Sequence, residues 1–262
     1  TTMSCSVKEC YDWGVLGCGW LGQAFARQIL QAGGTVWGSA KSTATLDAIA
    51  ETGATPVAFD ALDSQTVEFP DCKHLLVAWP PSVGHAAAKV IELGQSNRTE
   101  WTVCISSTSV YPEHPGVFTE DLAERRISPH SGICVLDIEM ATEGPSVTQL
   151  RAGGLIGPQR PLFRKTNRPV NLDKPLNVVH LEDVISAIGH CANHRVQGPV
   201  NLVSPVRRTR LDCQEVATNA MSQATSEAST DQGMRAVSSQ RLLDSGFVFQ
   251  HPDPAFFPNL QP

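Results

Sequence analysis

Residues 11–22 read YDWGVLGCGWLG. A short apolar segment runs directly into three glycines spaced G-x-G-x-x-G. Helical periodicity then starts inside the motif, with Leu21, Ala24, Phe25, Ile29 and Ala32 recurring on one face up to the stop at Gly33-Gly34. Strand, glycine turn and helix in that order restrict the fold more than any other feature of the chain. Gly17 permits a tight turn, Gly19 lets backbone come close to a ligand, and Gly22 lets the helix lie against the strand. Trp20 and Leu21 place their amides in the first helical turn, where backbone N–H groups and the helix dipole favour an anion. The competing reading is a packing turn that holds nothing.

The alternation continues. Strand-like TVWG (35–38), helical LDAIAETG, strand-like TPVAF, strand-like HLLVAW (74–79), a helical stretch over 82–97, strand-like WTVCIS, a helix within 132–143 and strand-like SVTQLR (146–151) follow one another. Strands alternating with helices imply a parallel sheet with right-handed crossovers. The expected class is α/β, a Rossmann-type doubly wound sheet over residues 1–151. From 152 the rhythm changes. GGLIGPQRPLFRK reads as a loop, 181–193 as a helix, PVNLVS as a strand, 211–225 as a helix, and HPDPAFFPNLQP as too proline-rich for regular structure. Residues 152–262 are expected to form a small substrate cap over the C-terminal edge of the sheet, partly packed back on the core as one compact unit.

If the glycine turn holds a dinucleotide, the end of the second strand chooses its type. An acid there hydrogen-bonds a free ribose 2′-hydroxyl. Here residues 38–43 are GSAKST, with no acid. Ser39, Lys41, Ser42 and Thr43 suit a 2′-phosphate, which points to NADP in preference to NAD. Ser42 or Thr43 also reads as a helix cap. Asp60 either accepts from an adenine amine or is an ordinary turn aspartate. Ala78, Trp79 and Pro80, at the end of the fourth strand, are expected to pass along the cofactor.

The net charge of −6 argues against a nucleic-acid partner. No apolar run reaches the ~18 residues of a membrane span. The eight cysteines form no C-x-x-C pair and mostly sit in apolar runs, so they read as buried thiols of a cytoplasmic protein, without a metal site. The expected partner is a small molecule, and a homodimer is compatible with the fold.

Taken together, GCGWLG, GSAKST, ISSTSVYP, RAGGLIGP, VVHLEDVISAI and FVFQHPDP resemble the extended short-chain dehydrogenase/reductase superfamily, closest to its atypical YeeZ-like branch. That resemblance implies a nicotinamide cofactor and a reductase, epimerase or dehydratase acting on a carbonyl or sugar-like compound. It matches Ser107 to the catalytic Ser/Thr. It matches Tyr111 to a tyrosine that supports the site or touches substrate and is not the usual acid. Thr108 and Arg160 are placed by it on the substrate side. So is His180, whose usual role in its stretch is structural, with Asp183 near the helix start.

The superfamily's Tyr-x-x-x-Lys pair is missing. The chain has two tyrosines, and four residues past Tyr11 and Tyr111 stand Val15 and Pro115. Where the pair is expected, residues 131–136 read SGICVL. His114, His130, His180, Cys134 and Glu139 are the other groups able to supply a proton. Arg160, Arg164, Lys165, Arg207, Arg208 and Arg210 either clamp an anionic substrate or are ordinary loop charges. Two functions remain open: an NADP-dependent oxidoreductase or epimerase with a non-standard acid, or a catalytically silent NADP-binding redox sensor or scaffold.

Overall fold

The computed structural model describes residues 10–61, 67–79, 91, 95, 98–128, 132–163, 171–219 and 235–258. A seven-stranded parallel sheet carries the fold. Its strands in chain order are β1 (Tyr11–Leu16), β2 (Val36–Ala40), β3 (Thr55–Ala58), β4 (Cys72–Val77), β5 (Trp101–Ser107), β7 (Val147–Ala152) and β10 (Gly198–Leu202). Their spatial order is β10-β7-β5-β4-β1-β2-β3. β1 pairs with β2 on one side and with β4 on the other, Val15 lying opposite Gly38 and Leu76. The strand order therefore reverses at β1, which is where open α/β sheets leave a crevice beyond their carboxyl ends.

The glycine turn opens α1 (Trp20–Gln31), and α2 (Thr43–Glu51) follows β2. Ser42 caps α2, its Oγ accepting from Thr45 N at 3.3 Å. This satisfies one of the donors that a helix start leaves over. α3 (Val135–Ala141) falls inside the helix expected over 132–143. Most of the stretch expected to be helical over 82–97 lies outside the described residues.

By contact density the chain divides into two compact units that interleave along the sequence. One comprises 1–105, 127–149 and 191–198; the other comprises 106–126, 150–190 and 199–262. The first packs Leu16, Trp37, Cys72, Leu75 and Val77 with Cys104 and Val147. Trp37 stacks on Phe69 at 5.2 Å between ring centroids.

The second unit contains α4 (Leu181–Asn193), α5 (Arg210–Asn219) and α6 (Gln240–Asp244). Its core includes Ile156, Leu162, Val178, Cys213, Ala255 and Phe257. Two parallel strand pairs here were not expected from the sequence. β8 (Gly154–Ile156), in the stretch read as a loop, pairs with β9 (Val178–His180). β6 (Gly116–Phe118) pairs with β11 (Arg235–Val237).

Candidate functional site

In the first unit the turn after β1 is built around Gly17, at φ +77°, a left-handed conformation that L side chains rarely adopt. The indole of Trp79 lies over it, and a Cβ at Gly17 would stand 2.2 Å from Trp79 Cδ1. A Cβ built on Gly19 meets no described atom within 4 Å. Gly19 is the N-cap of α1; no side chain caps that end, and no acid occupies its first turn. Trp20 and Leu21 begin the helix, Leu21 being buried, and Gly22 packs close to β1, its Cβ position 3.0 Å from Val15 Cγ1. An uncapped, acid-free helix start behind an open glycine is a cradle for an anion. A pyrophosphate fits these residues.

Ser39 is 1% exposed, and its Oγ accepts the Gly17 N–H at 3.1 Å. Its carbonyl takes Cys18 N at 2.8 Å. Ser39 therefore ties the turn to β2. Lys41 Nζ pairs with Asp60 Oδ2 at 2.7 Å, and both side chains reach solvent. The structure thus brings together two residues that the sequence reading placed separately around a cofactor. Ser42 faces solvent at the start of α2, and Ala78 N donates to Leu16 O at 2.9 Å. Trp79 is half-buried and stacks on Phe59 at 6.2 Å. Pro80 lies outside the described residues.

In the second unit Tyr111 is fully buried. Its hydroxyl donates to Asn201 Oδ1 at 2.6 Å and accepts from Arg151 Nη1 at 2.9 Å. Burial pushes the phenol above its ordinary value, against the opposing influence of Arg151. Its ring stacks on Phe118, and its carbonyl accepts from Arg126 and, at 3.3 Å, from Arg235. Arg235 also donates to Pro112 O and Thr108 O, at 2.7 and 2.9 Å. Glu120 joins the cluster, its carboxylate accepting Asn201 N at 2.8 Å and its carbonyl accepting Arg151 at 2.8 Å. Arg151, Asn201 and Arg235 were missed from the sequence. An arginine in the otherwise uncharged strand VTQLRA was the available signal.

Ser107 is half-buried and caps the 3-10 turn Thr108–Val110, its Oγ accepting from Ser109 N at 3.1 Å. That bond engages an oxygen lone pair and not the hydroxyl proton. Thr108 is buried. Arg160 closes a tight turn with Gly157, through backbone bonds of 2.8 and 3.0 Å. Arg208 is buried against Asp253 at 2.8 Å, and Arg210 donates to Leu162 O at 2.9 Å, so both hold structure. His114 is exposed; His130, Arg164 and Lys165 lie outside the described residues. His180 is buried at the end of β9, beside His251.

The seven described cysteines are free. Burial raises Cys18, Cys104, Cys191 and Cys213 to about 12 and Cys72 to about 11, so these thiols are inert near neutrality. Among the described residues, no helix is long and apolar enough to cross a membrane.

No protein-family model matches the chain. Escherichia coli YeeZ is 25% identical, over 93% of this chain and 97% of that protein. Vestitone reductase from alfalfa superposes with a TM-score of 0.69 at 16% identity, covering 95% of this chain and 96% of that one. UDP-glucuronic acid 4-epimerase from Bacillus cereus, solved in complex with NAD, superposes with a TM-score of 0.65 at 15% identity, covering 88% and 91%. With the glycine turn at the strand-order reversal, these likenesses give the chain the extended short-chain dehydrogenase/reductase fold and make it a distant homologue of YeeZ over nearly its full length.

Proposed function

We propose that the chain binds NADP(H) at the Gly17–Gly22 turn and acts as an oxidoreductase or epimerase on a small carbonyl or sugar-like substrate, without a Tyr-x-x-x-Lys pair. The observation that carries this reading is the open Gly19 in front of the uncapped, acid-free start of α1. Backbone amides there hold the pyrophosphate, and Ser39 fixes the turn that presents them. Lys41 selects the 2′-phosphate. Its bond to Asp60 joins two solvent-reaching side chains, a kind of pair worth about 0–1 kcal/mol, so a phosphoryl group can recruit the ammonium at little cost.

When bound, the nicotinamide supplies or accepts the two electrons of a hydride. Ser107 donates a hydrogen bond to a substrate oxygen while its own oxygen stays anchored by Ser109 N. Tyr111 has both hydroxyl interactions satisfied by Asn201 and Arg151, which supports a role in holding the fold. Solvent then replaces the missing acid. Because a positioned acid contributes roughly 10²–10⁴-fold, turnover is slow or confined to activated carbonyls.

The burial of Tyr111 also favours a second reading, a silent NADP(H)-binding sensor or scaffold. Following NADPH oxidation against aldehydes, ketones, imines and nucleotide sugars separates the two. Turnover that falls at least tenfold in Ser107→Ala supports the enzyme. Cofactor binding without turnover on any class supports the sensor.

A further inference from the structure

Three metal-ligating side chains converge in the second unit, and no part of the proposed chemistry uses them. His180 ends β9, Glu182 sits in the first turn of α4, and His251 comes from the segment after α6. One ligand atom from each can be chosen so that all three lie within 4.8 Å of one another. His251 Nε2 is 2.5 Å from Glu182 Oε2, and His180 Nδ1 is 4.0 Å from that same oxygen. We infer that His180, Glu182 and His251 form a binding site for a divalent transition-metal ion, Zn2+ in the first instance, with its fourth coordination position open.

The donor set is of the right kind. Two imidazoles and one carboxylate suit zinc, with metal–ligand distances of about 2.0–2.2 Å, and three protein ligands leave one position to water or another small ligand. Tetrahedral ligands at those distances stand about 3.3 Å apart. The carboxylate must therefore move away from His251 and towards His180. Glu182 is able to do so, because its side chain is 57% exposed. His180 Nδ1 accepts Glu182 N at a long 3.4 Å, a weak bond that the nitrogen exchanges for the ion on binding.

The supporting groups are preorganised. Asp183 is fully buried, and its two carboxylate oxygens accept Gln250 N at 2.6 Å and His251 N at 3.1 Å. Gln250 Nε2 donates to Ser186 Oγ at 2.8 Å. These bonds fix the backbone that carries His251 to the start of α4. The ring of Phe257 lies 5.5 Å from His180 and 6.4 Å from His251, an apolar wall on one side of the cluster. A bound ion would clamp the segment after α6 to the β9–α4 junction, independently of any dinucleotide.

The test uses the full chain, stripped with a chelator and then dialysed against Zn2+, with retained metal counted by elemental analysis. The wild type is expected to keep one equivalent more than Glu182→Gln and His251→Ala, and only the wild type should show a rise in thermal midpoint on adding Zn2+. Glu182→Gln alters an exposed side chain, so it keeps the comparison open if His251→Ala folds poorly. Co2+ distinguishes this site from the cysteines. A tetrahedral visible band without thiolate charge transfer in the near ultraviolet supports it. No retained zinc in the wild type, equal retention in Glu182→Gln, or a thiolate band overturns it.

Discussion

The hydroxyl of Tyr111 donates to Asn201 Oδ1 at 2.6 Å, joining two residues 90 positions apart in sequence. Arg151 completes the arrangement by donating to the same oxygen at 2.9 Å. A phenol held from both sides in this way commits its proton to Asn201, and burial raises its pKa above the ordinary value.

Tyr111→Phe is therefore expected to act on stability. It leaves Asn201 Oδ1 and one Arg151 donor short of a partner in a buried place, at a cost of about 1–3 kcal/mol. Urea denaturation measures the loss. NADP affinity should stay within about twofold of wild type, less than about 0.4 kcal/mol. Unchanged stability with abolished turnover would return Tyr111 to the chemistry.

The two glycines of the turn separate folding from binding. Gly19→Ala puts a methyl group where no described atom lies within 4 Å and at φ −85°, which other residues adopt. It should cost under about 1 kcal/mol of stability, as a change at an N-cap. Cofactor affinity should fall at least tenfold, because the methyl fills the space a pyrophosphate needs. Gly17→Ala meets Trp79 at 2.2 Å in a left-handed conformation, so it should lower stability and binding together. Thermal melts with and without NADP distinguish the two patterns.

In the proposed function Lys41 and Asp60 set the choice of cofactor. Lys41→Gln should weaken NADP by about 10–100-fold, the equivalent of losing one charged hydrogen bond, and leave NAD nearly unchanged. Asp60→Asn removes the competing anion at 2.7 Å and should tighten NADP. Titrations of both coenzymes into both variants check this. Equal losses for NAD and NADP in Lys41→Gln would remove the 2′-phosphate role.

His74 gives stability a pH dependence. Its ring lies 4.8 Å from that of Trp13, and burial holds its pKa below the ordinary imidazole value. The unfolded chain then takes up the proton at a higher pH than the folded one. This contribution is fully present above about pH 6.5 and is lost as pH falls through that value towards the folded pKa. Asp12, held low mainly by its bond to Lys73, acts only in the carboxylate range. The urea midpoint should drop between about pH 7.5 and about 5.5, and less steeply in His74→Gln.

The core strands were legible because strand, turn and helix each repeat with a local period. The glycine motif could be placed for the same reason. β6 with β11 and β8 with β9 were not legible. Each strand is three residues long, too short for a period, and the partners of the first pair are over a hundred residues apart. Ser39 illustrates a subtler limit. GSAKST reads as a row of donors, but Ser39 lies in the buried part of β2 and turns its hydroxyl to Gly17, while Lys41 and Ser42 lie beyond the strand and reach solvent. Burial, which a residue list does not contain, divides one motif into a turn anchor and an exposed pair.

Isothermal calorimetry of NADP and NAD titrated into the wild type and Gly19→Ala tests the central claim most directly. The expected result is one-site binding to the wild type, tighter for NADP, and at least tenfold weaker in a Gly19→Ala protein that still unfolds cooperatively. No heat from either coenzyme with the wild type, or undiminished binding by Gly19→Ala, would contradict it.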